Sequence, residues 1–216
     1  MKQLLFIAAL SLAVFSCKKK DTVEAKDATG TEVTAVEGAA DVAVNAAAST
    51  LWWKGTKKIG GGHEGNIPVK TGTFKLKDGS IVGSEFEIDV AGLTSTDLEP
   101  GKGKEDLESH LKNADFFDVE KFPTATFKII GQKDLENDEN GNTHQLSGTL
   151  TIKNTAKVID IPAKVAIDGE AISLESTFNI DRTDFGVVYG SEGSFADLAK
   201  DRVINDAVEL KVMVKS

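Results

Sequence analysis

The sequence predicts an all-β domain, either a sandwich or a closed barrel, from about Thr50 to the last residue. Three observations carry this prediction. Apolar and polar residues alternate with a period of two in a series of runs, turn-forming residues separate the runs, and a single segment has the pattern of a helix. One apolar face on each strand indicates a sheet that packs one side on a core and leaves the other in water.

The alternating runs follow one another along the whole domain. Lys-Asp-Gly, Asn-Gly-Asn and Asp-Gly sequences at 77–79, 140–142 and 168–169 mark turns between them. Pro162 interrupts one run, which suggests a bulge or a sheet edge. The apolar positions are, in chain order, Phe74 and Leu76; Phe86, Ile88 and Val90; Ala125, Phe127 and Ile129; Leu146, Leu150 and Ile152; Ile159, Ile161, Ala163, Val165 and Ile167; Ile172, Leu174, Phe178 and Ile180; and Val208, Leu210, Val212 and Val214.

A short helix is predicted over residues 103–113, between the third and fourth strands. Acidic residues come early in this segment and Lys112 comes late, which suits the helix dipole. Leu107 and Leu111 are four residues apart and share a face. Asn113 is predicted as a left-handed C-terminal cap. We expect this helix to cap one end of a barrel.

The N-terminus predicts export and lipidation. Lys2 precedes a mostly apolar run over residues 4–14, which has the composition of a signal peptide and is shorter than the about 20 residues of a membrane-spanning helix. The sequence Val-Phe-Ser-Cys at 14–17 resembles a lipobox, the tetrapeptide that is cut before a cysteine carrying diacylglycerol. We therefore expect a cell envelope lipoprotein, anchored through Cys17 and facing the periplasm or the cell surface. The alternative is an ordinary secreted protein with one free thiol.

The segment after the cysteine has a different composition. Residues 18–49 contain no Phe, Trp, Tyr, Leu or Ile, so they bury too little apolar surface to offset the entropy of ordering. The sequence thus divides into a signal peptide at 1–16, a flexible tether at 17–49 and one domain at 50–216. As a coil, the tether would span roughly 30 Å. An Ala-rich helix over 35–48 is the alternative.

Charge and motifs argue against several function classes. The formal charge is −9, and removal of residues 1–16 takes away Lys2 and leaves −10, so binding to nucleic acid is not expected. No nucleophile elbow, zinc-protease or phosphate-loop motif is present. The three histidines, at positions 63, 110 and 144, lack metal-ligand spacing. We expect no catalytic residues, no metal site and no cofactor.

Four motifs in chain order resemble the YceI-like family. The longest spans residues 107–127 and reads LESHLKNADFFDVEKFPTATF, a short helix followed by an aromatic and Pro-containing turn. A His-Glu-Gly segment at 63–65, followed by a Gly-rich run to residue 89, is similar to the early part of the family. The strand GTLTIK at 148–153 and the sequence DRTDFG at 181–186 complete the resemblance, although Asn154 stands where the family usually has glycine.

The resemblance implies an eight-stranded antiparallel, lipocalin-like barrel with a long apolar cavity. It also implies a carrier of polyisoprenoid chains, such as isoprenoid quinones or prenyl phosphates, with that lipid as the bound ligand. An eight-stranded barrel is about the smallest that holds a ligand. The alternative is an envelope stress or interaction protein whose barrel is filled by side chains and which binds another protein.

The candidate ligand-binding residues are of two kinds: residues of the inward-facing rows, and polar residues expected to contact the head group of the lipid. Arg182 is a candidate for a phosphate or quinone oxygen, or else forms a salt bridge to Asp181, Asp184 or another strand. His110 is a candidate or a helix C-terminal cap, and His63 a candidate or a turn residue. Phe116 and Phe117 either seat the helix or gate the pocket. The full set is Trp52, His63, Phe74, Phe86, His110, Leu111, Phe116, Phe117, Phe127, Phe178, Arg182, Asp184 and Phe185.

Overall fold

The computed structural model describes residues 22–28, 36–136, 138–193 and 202–216. The predicted signal peptide and Cys17 therefore lie outside the described residues. Within these ranges the chain forms eleven strands, one α-helix, α1 (Lys104–Lys112), and three short 3₁₀ helices. The strands are β1 (Lys26–Asp27), β2 (Ala40–Ala43), β3 (Thr50–Lys57), β4 (Gly62–Lys77), β5 (Ser80–Asp89), β6 (Thr94–Ser95), β7 (Thr124–Asp134), β8 (His144–Ile152), β9 (Thr155–Asp168), β10 (Ala171–Asp181) and β11 (Ile204–Lys215).

Eight of these strands close into a barrel. Strands β3, β4, β5, β7, β8, β9, β10 and β11 pair in that order, each antiparallel to the next, and β11 pairs back onto β3. The three short strands are additions to this ring, because β2 and β6 pair with β4 while β1 pairs with β9. The prediction of an eight-stranded antiparallel, lipocalin-like barrel with one helix is confirmed.

The end of the barrel away from α1 is packed solid. Phe74, Ile129, Leu146 and Ala163 are each 0% exposed there. The Phe74 ring meets that of Phe86 edge-on, with centroids 5.2 Å apart, an arrangement that aromatic pairs favour. The alternating rows therefore fill this half of the barrel in the manner of an ordinary β-core.

The helix covers the opposite end, as predicted. Gly103 begins it with a φ of 93°, a left-handed conformation that glycine adopts without steric cost. Leu107 and Leu111 face into the barrel. The prediction for Asn113 is wrong: its backbone is extended, with φ −79° and ψ −179°. The chain instead turns at Asp118, where φ is 50° and the backbone N–H donates to the Asn113 carbonyl at 2.8 Å.

Strands β9 and β10 pair along only part of their length, which leaves a gap in the barrel wall, hereafter the seam. The ladder between β9 and β10 ends at the Lys164–Glu175 pair, although both strands continue. Pro162, two residues further along β9, has no N–H to give to β10. The Ser176 hydroxyl donates to the Pro162 carbonyl at 2.5 Å instead. This agrees with the expectation of a sheet edge at Pro162.

The N-terminal residues 22–28, hereafter the wall segment, lie in this seam. Their strand β1 pairs antiparallel with β9. On the other side, the Val23 N–H donates to the Asn179 carbonyl of β10 at 2.8 Å. In the half of the barrel nearer to α1, the wall thus contains an extra strand between β9 and β10.

The start of the folded domain differs from the prediction. The tether was expected to reach residue 49, but β2 pairs with β4 and its Val42 is only 8% exposed. Residues 46–48 form a 3₁₀ helix, so the described part of 35–48 is not the alternative Ala-rich helix either. Added strands of this kind are held by backbone hydrogen bonds to an existing sheet, which a sequence poor in large apolar residues can still form.

Candidate functional site

A cavity lies inside the barrel beneath α1. Its volume is about 180 Å³, and its wall is almost entirely carbon. Inward-facing residues of the barrel strands form the sides, while Leu107 and Leu111 of the helix, together with Phe116 and Phe117, form the roof. A concave apolar surface with few polar groups is the usual form of a small-molecule site.

A second, deeper space of about 50 Å³ continues this cavity along the barrel axis. Four side chains line both spaces, namely Leu51, Ile88, Leu150 and Leu210. The two spaces are therefore adjacent apolar sections with these side chains between them, and together they are called the tube. Phe74 and its fully buried neighbours close the tube at the solid end of the barrel.

Small residues explain why the helix end is hollow. Ala125 and Gly55 are inward positions of the cavity wall that carry little or no side chain. Gly148 has a related role deeper down, since a Cβ at this position would lie 2.3 Å from the Phe127 ring. The ring occupies the space over this glycine, and Phe127 lines the deeper section of the tube.

A histidine and a carboxylate form a polar pair at the cavity rim. His63 lines the cavity, and its Nδ1 lies 2.8 Å from Asp97 Oδ2. Burial acts to raise the pKa of Asp97, but hydrogen bonds from the Ser95 hydroxyl, His63 and the Glu64 backbone N–H hold it below its usual value. The ionised carboxylate favours a proton on Nδ1. Nε2 has no hydrogen bond to any described residue and remains the ring nitrogen available at the rim.

Trp53 brings a second polar group into the wall. It is 7% exposed and lines the cavity, and its indole N–H has no hydrogen-bond partner among the described residues. Trp53 pairs with Gly65 across β3 and β4, and His63 pairs with Gly55 in the same ladder. The two side chains thus occupy neighbouring inward positions near the rim. The indole nitrogen of Trp53 packs over Gly65, because a Cβ built on that glycine would lie 2.9 Å from it.

Arg182 is buried and fully engaged within the protein. It is 5% exposed, and Asp206 Oδ1 lies 3.6 Å from its Nη2. Burial lowers the pKa of Arg182, and the charges of Asp206 and Asp181 oppose that effect. The guanidinium also donates to four backbone carbonyls at 2.7–3.2 Å. These acceptors are Asn205, Val187, Tyr189 and Ile204. Arg182 therefore fastens the loop after β10 to β11, and the alternative of a bridge to another strand describes it better than a ligand contact.

The structure brings nine of the thirteen predicted site residues to the tube. Six line the section under the helix and three line the deeper section, so contact with a ligand is geometrically open to all of them except Arg182, whose guanidinium is engaged within the protein. The residues of the upper section are His63, Leu111, Phe116, Phe117, Arg182 and Phe185, and those of the deeper section are Phe86, Phe127 and Phe178.

Four predicted site residues lie elsewhere. Trp52 faces outward, where Lys211 Nζ lies 4.3 Å from its ring centroid, because its neighbour Trp53 takes the inward position. Phe74 belongs to the solid end. His110 lies outside the cavity wall, with its Nε2 3.2 Å from Asp115 Oδ2. Asp184 is exposed on the 3₁₀ turn that follows β10.

Most cavity residues that sequence reasoning missed are aliphatic. They belong to the inward rows, so the period-two pattern placed several of them on the correct face without marking them as cavity. They include Leu51, Ile67, Ile88, Leu150 and Leu210, and Trp53 is an aromatic member of the same wall.

Among the described residues, no three His, Cys, Asp or Glu side chains stand close enough to share a metal ion. In the same part of the chain, no helix is long and apolar enough to cross a membrane.

Known structures share the fold. BcnA of Burkholderia cenocepacia superposes with a TM-score of 0.60 at 23% identity, covering 80% of this chain and 99% of that one. A polyisoprenoid binding domain from Saccharophagus degradans superposes with a TM-score of 0.54 at 16% identity, covering 80% of this chain and 95% of that one.

Sequence comparisons identify the family. Protein YceI of Salmonella arizonae and of Salmonella newport are each 29% identical to this chain over 101 residues, which are 46% of this chain and 50% of either relative. The chain thus matches about half the length of these curated relatives. The family model of the YceI-like domain matches residues 42–216. With that span, and with the barrel and helix described above, the chain belongs to the YceI-like domain family.

Proposed function

We propose that this protein is a membrane-tethered, non-catalytic carrier of a polyisoprenoid or a similar long-chain amphipathic lipid. The observation that carries the proposal is the apolar tube, which begins under α1 and ends blindly at the solid half of the barrel. Membership of the YceI-like family supports it. The similarity to the polyisoprenoid binding domain from Saccharophagus degradans adds support from the fold.

The size of the cavity sets the length of chain that it takes. An apolar cavity of about 150 Å³ takes a benzene-sized ligand of six carbons. By that measure the two sections of the tube, of about 180 and 50 Å³, hold roughly 9 non-hydrogen atoms, or about two five-carbon isoprene units. Each unit brought from water contributes up to roughly 4 kcal/mol of binding free energy before the costs of association.

Polar groups at the rim of the cavity determine which ligands bind. A lipid that leaves a bilayer gains little free energy per carbon, because the bilayer is as apolar as the tube. Discrimination then comes from polar contacts at the rim, where His63 lines the cavity. With its proton on Nδ1, the imidazole accepts at Nε2, so a ligand with a hydroxyl group at one end, such as a prenyl alcohol, satisfies this arrangement.

Tethering rests on the N-terminal sequence. The lipobox-like residues 14–17 place Cys17 next to a signal peptide, and a lipid on this thiol would keep the barrel in the cell envelope near the bilayer that dissolves its ligand. One acyl-type anchor alone binds membranes reversibly, and added chains strengthen it.

A prenyl alcohol series tests the proposal. Geraniol, farnesol and geranylgeraniol, with ten, fifteen and twenty carbons, are titrated into the delipidated protein and followed by Trp fluorescence. Affinity is expected to level off at geraniol, because the tube holds about two isoprene units. His63→Phe keeps an aromatic ring at the rim and removes Nε2, and should weaken geraniol binding about tenfold. Failure of all three alcohols to bind would leave an interaction protein as the better account.

A further inference from the structure

The seam between β9 and β10 has the features of a strand-acceptor groove. The ladder between these strands ends at Lys164 and Glu175, and further along β10 the Asn179 carbonyl accepts the N–H of Val23 at 2.8 Å. On the β9 side, β1 supplies the antiparallel partner. The edge of a strand with free backbone groups is a template for an added strand. Here the added strand is the wall segment of this same chain.

The side chains of the wall segment match the groove. Val23 and Ala25 pack against the hydrophobic core, whereas the side chains of Glu24 and Lys26 are 74% and 62% exposed. The alternation is that of a strand in a barrel wall. An ion pair adds to the fit, with Lys157 Nζ 2.7 Å from Asp27 Oδ1.

The groove runs along the flank of the apolar tube. Ile159 and Ile161 of β9 are 1% and 3% exposed and line the deeper section, as does Phe178 of β10. Ile180 lines the section under the helix. The wall segment therefore lies next to strands that line the ligand space, at the place where these strands do not pair with each other, although none of its own residues lines either section.

We propose that the wall segment is a dockable strand that retains the lipid in the tube, and that its departure from the β9–β10 groove opens a lateral path for the lipid. This inference rests on the proposed function for its ligand, although strand docking itself does not. The family model begins at residue 42, so the dockable strand precedes the family domain. Its docking also shortens the tether, because residues 18–21 span at most about 14 Å.

Paired variants of the full mature chain, made with Cys17→Ser for solubility, test the docking. Val23→Asp with Ala25→Asp places two carboxylates against the core, whereas Glu24→Gln changes an exposed side chain of the same segment. The double variant is expected to lose amide protection in β9 around Val158 and to release a fluorescent farnesyl probe roughly tenfold faster. The control should match the parent. Unchanged protection and unchanged release in the double variant overturn the proposal.

A reversible crosslink tests the lateral path. Lys26 and Val158 are directly paired, so Lys26→Cys with Val158→Cys in the Cys17→Ser chain sets two thiols at disulfide distance. Oxidation should slow release of the probe about tenfold, and reduction should restore it. Equal release from both forms means that the lipid leaves by the helix end and refutes the lateral path. A protein that binds no probe, yet keeps the difference in amide protection, refutes the carrier function and leaves strand docking intact.

Discussion

One substitution that fills the cavity should distinguish the role of the cavity in ligand binding from the role of the barrel core in stability. Ala125 lines the tube and lies beside Ile88 on the neighbouring strand. Ala125→Leu adds three carbons to space that a ligand would otherwise occupy. At about 0.8 kcal/mol per carbon, the lost burial weakens farnesol binding by about 2.4 kcal/mol, or about 60-fold.

The same substitution should leave the fold intact or stabilise it. Filling a cavity raises the free energy of unfolding by up to about 2 kcal/mol. Ala163, which is 0% exposed at the solid end, is the matched control. There, Ala163→Leu should lower the free energy of unfolding by about 1–3 kcal/mol through overpacking and leave farnesol affinity unchanged.

Isothermal titration with farnesol and urea unfolding measure the two quantities on both variants. The account requires opposite patterns: weaker binding without loss of stability at Ala125, and loss of stability without weaker binding at Ala163. Equal destabilisation by both substitutions, with farnesol affinity unchanged at Ala125, would refute the reasoning that the space under α1 holds ligand.

Three further predictions follow from individual residues. Arg182→Ala removes the donor of four hydrogen bonds to carbonyls and the positive charge beside Asp206. The free energy of unfolding should therefore fall by about 3–5 kcal/mol in urea titrations, and a loss below about 1 kcal/mol contradicts this role. Asp97→Asn should destabilise the protein at neutral pH. Because the folded-state pKa of Asp97 is held below its unfolded value of about 3.8, its contribution to the free energy of unfolding is present above that pH and is lost as the pH falls through the folded pKa. A difference in stability between variant and parent that persists at about pH 2 argues against the pairing of Asp97 with His63. Cys17→Ser should move the protein from the membrane to the soluble fraction while farnesol affinity stays the same, and retention in the membrane fraction would speak against lipidation.

The strands were predictable because burial of one face leaves a period of two in the sequence. The helix was predictable from its early acids and from Leu107 and Leu111. The short strands β1 and β2 were not, since they are two and four residues long and their alternation is too short to stand out, while backbone hydrogen bonds to β9 and β4 hold them in place. That is why the predicted tether was too long.

The candidate site was predictable only in part. Phe74 and Phe86 occupy equivalent inward positions in their alternating rows, yet Phe86 borders the tube and Phe74 seals its end. This difference depends on which residues of neighbouring strands pack together, as Gly148 of β8 does with Phe127 of β7, and not on either row alone. Arg182 was ambiguous for a similar reason, because its acceptors are backbone carbonyls.

The most direct test of the carrier function is the content of the tube in the cell. The protein is purified from its native host under mild conditions, and its bound lipids are extracted and identified by mass spectrometry, with Ala125→Leu as the cavity-blocked control. The account predicts a prenyl or similar long-chain lipid near one molecule per barrel in the parent, and far less in the variant. An empty barrel in repeated preparations, together with no uptake of added farnesol, would contradict it.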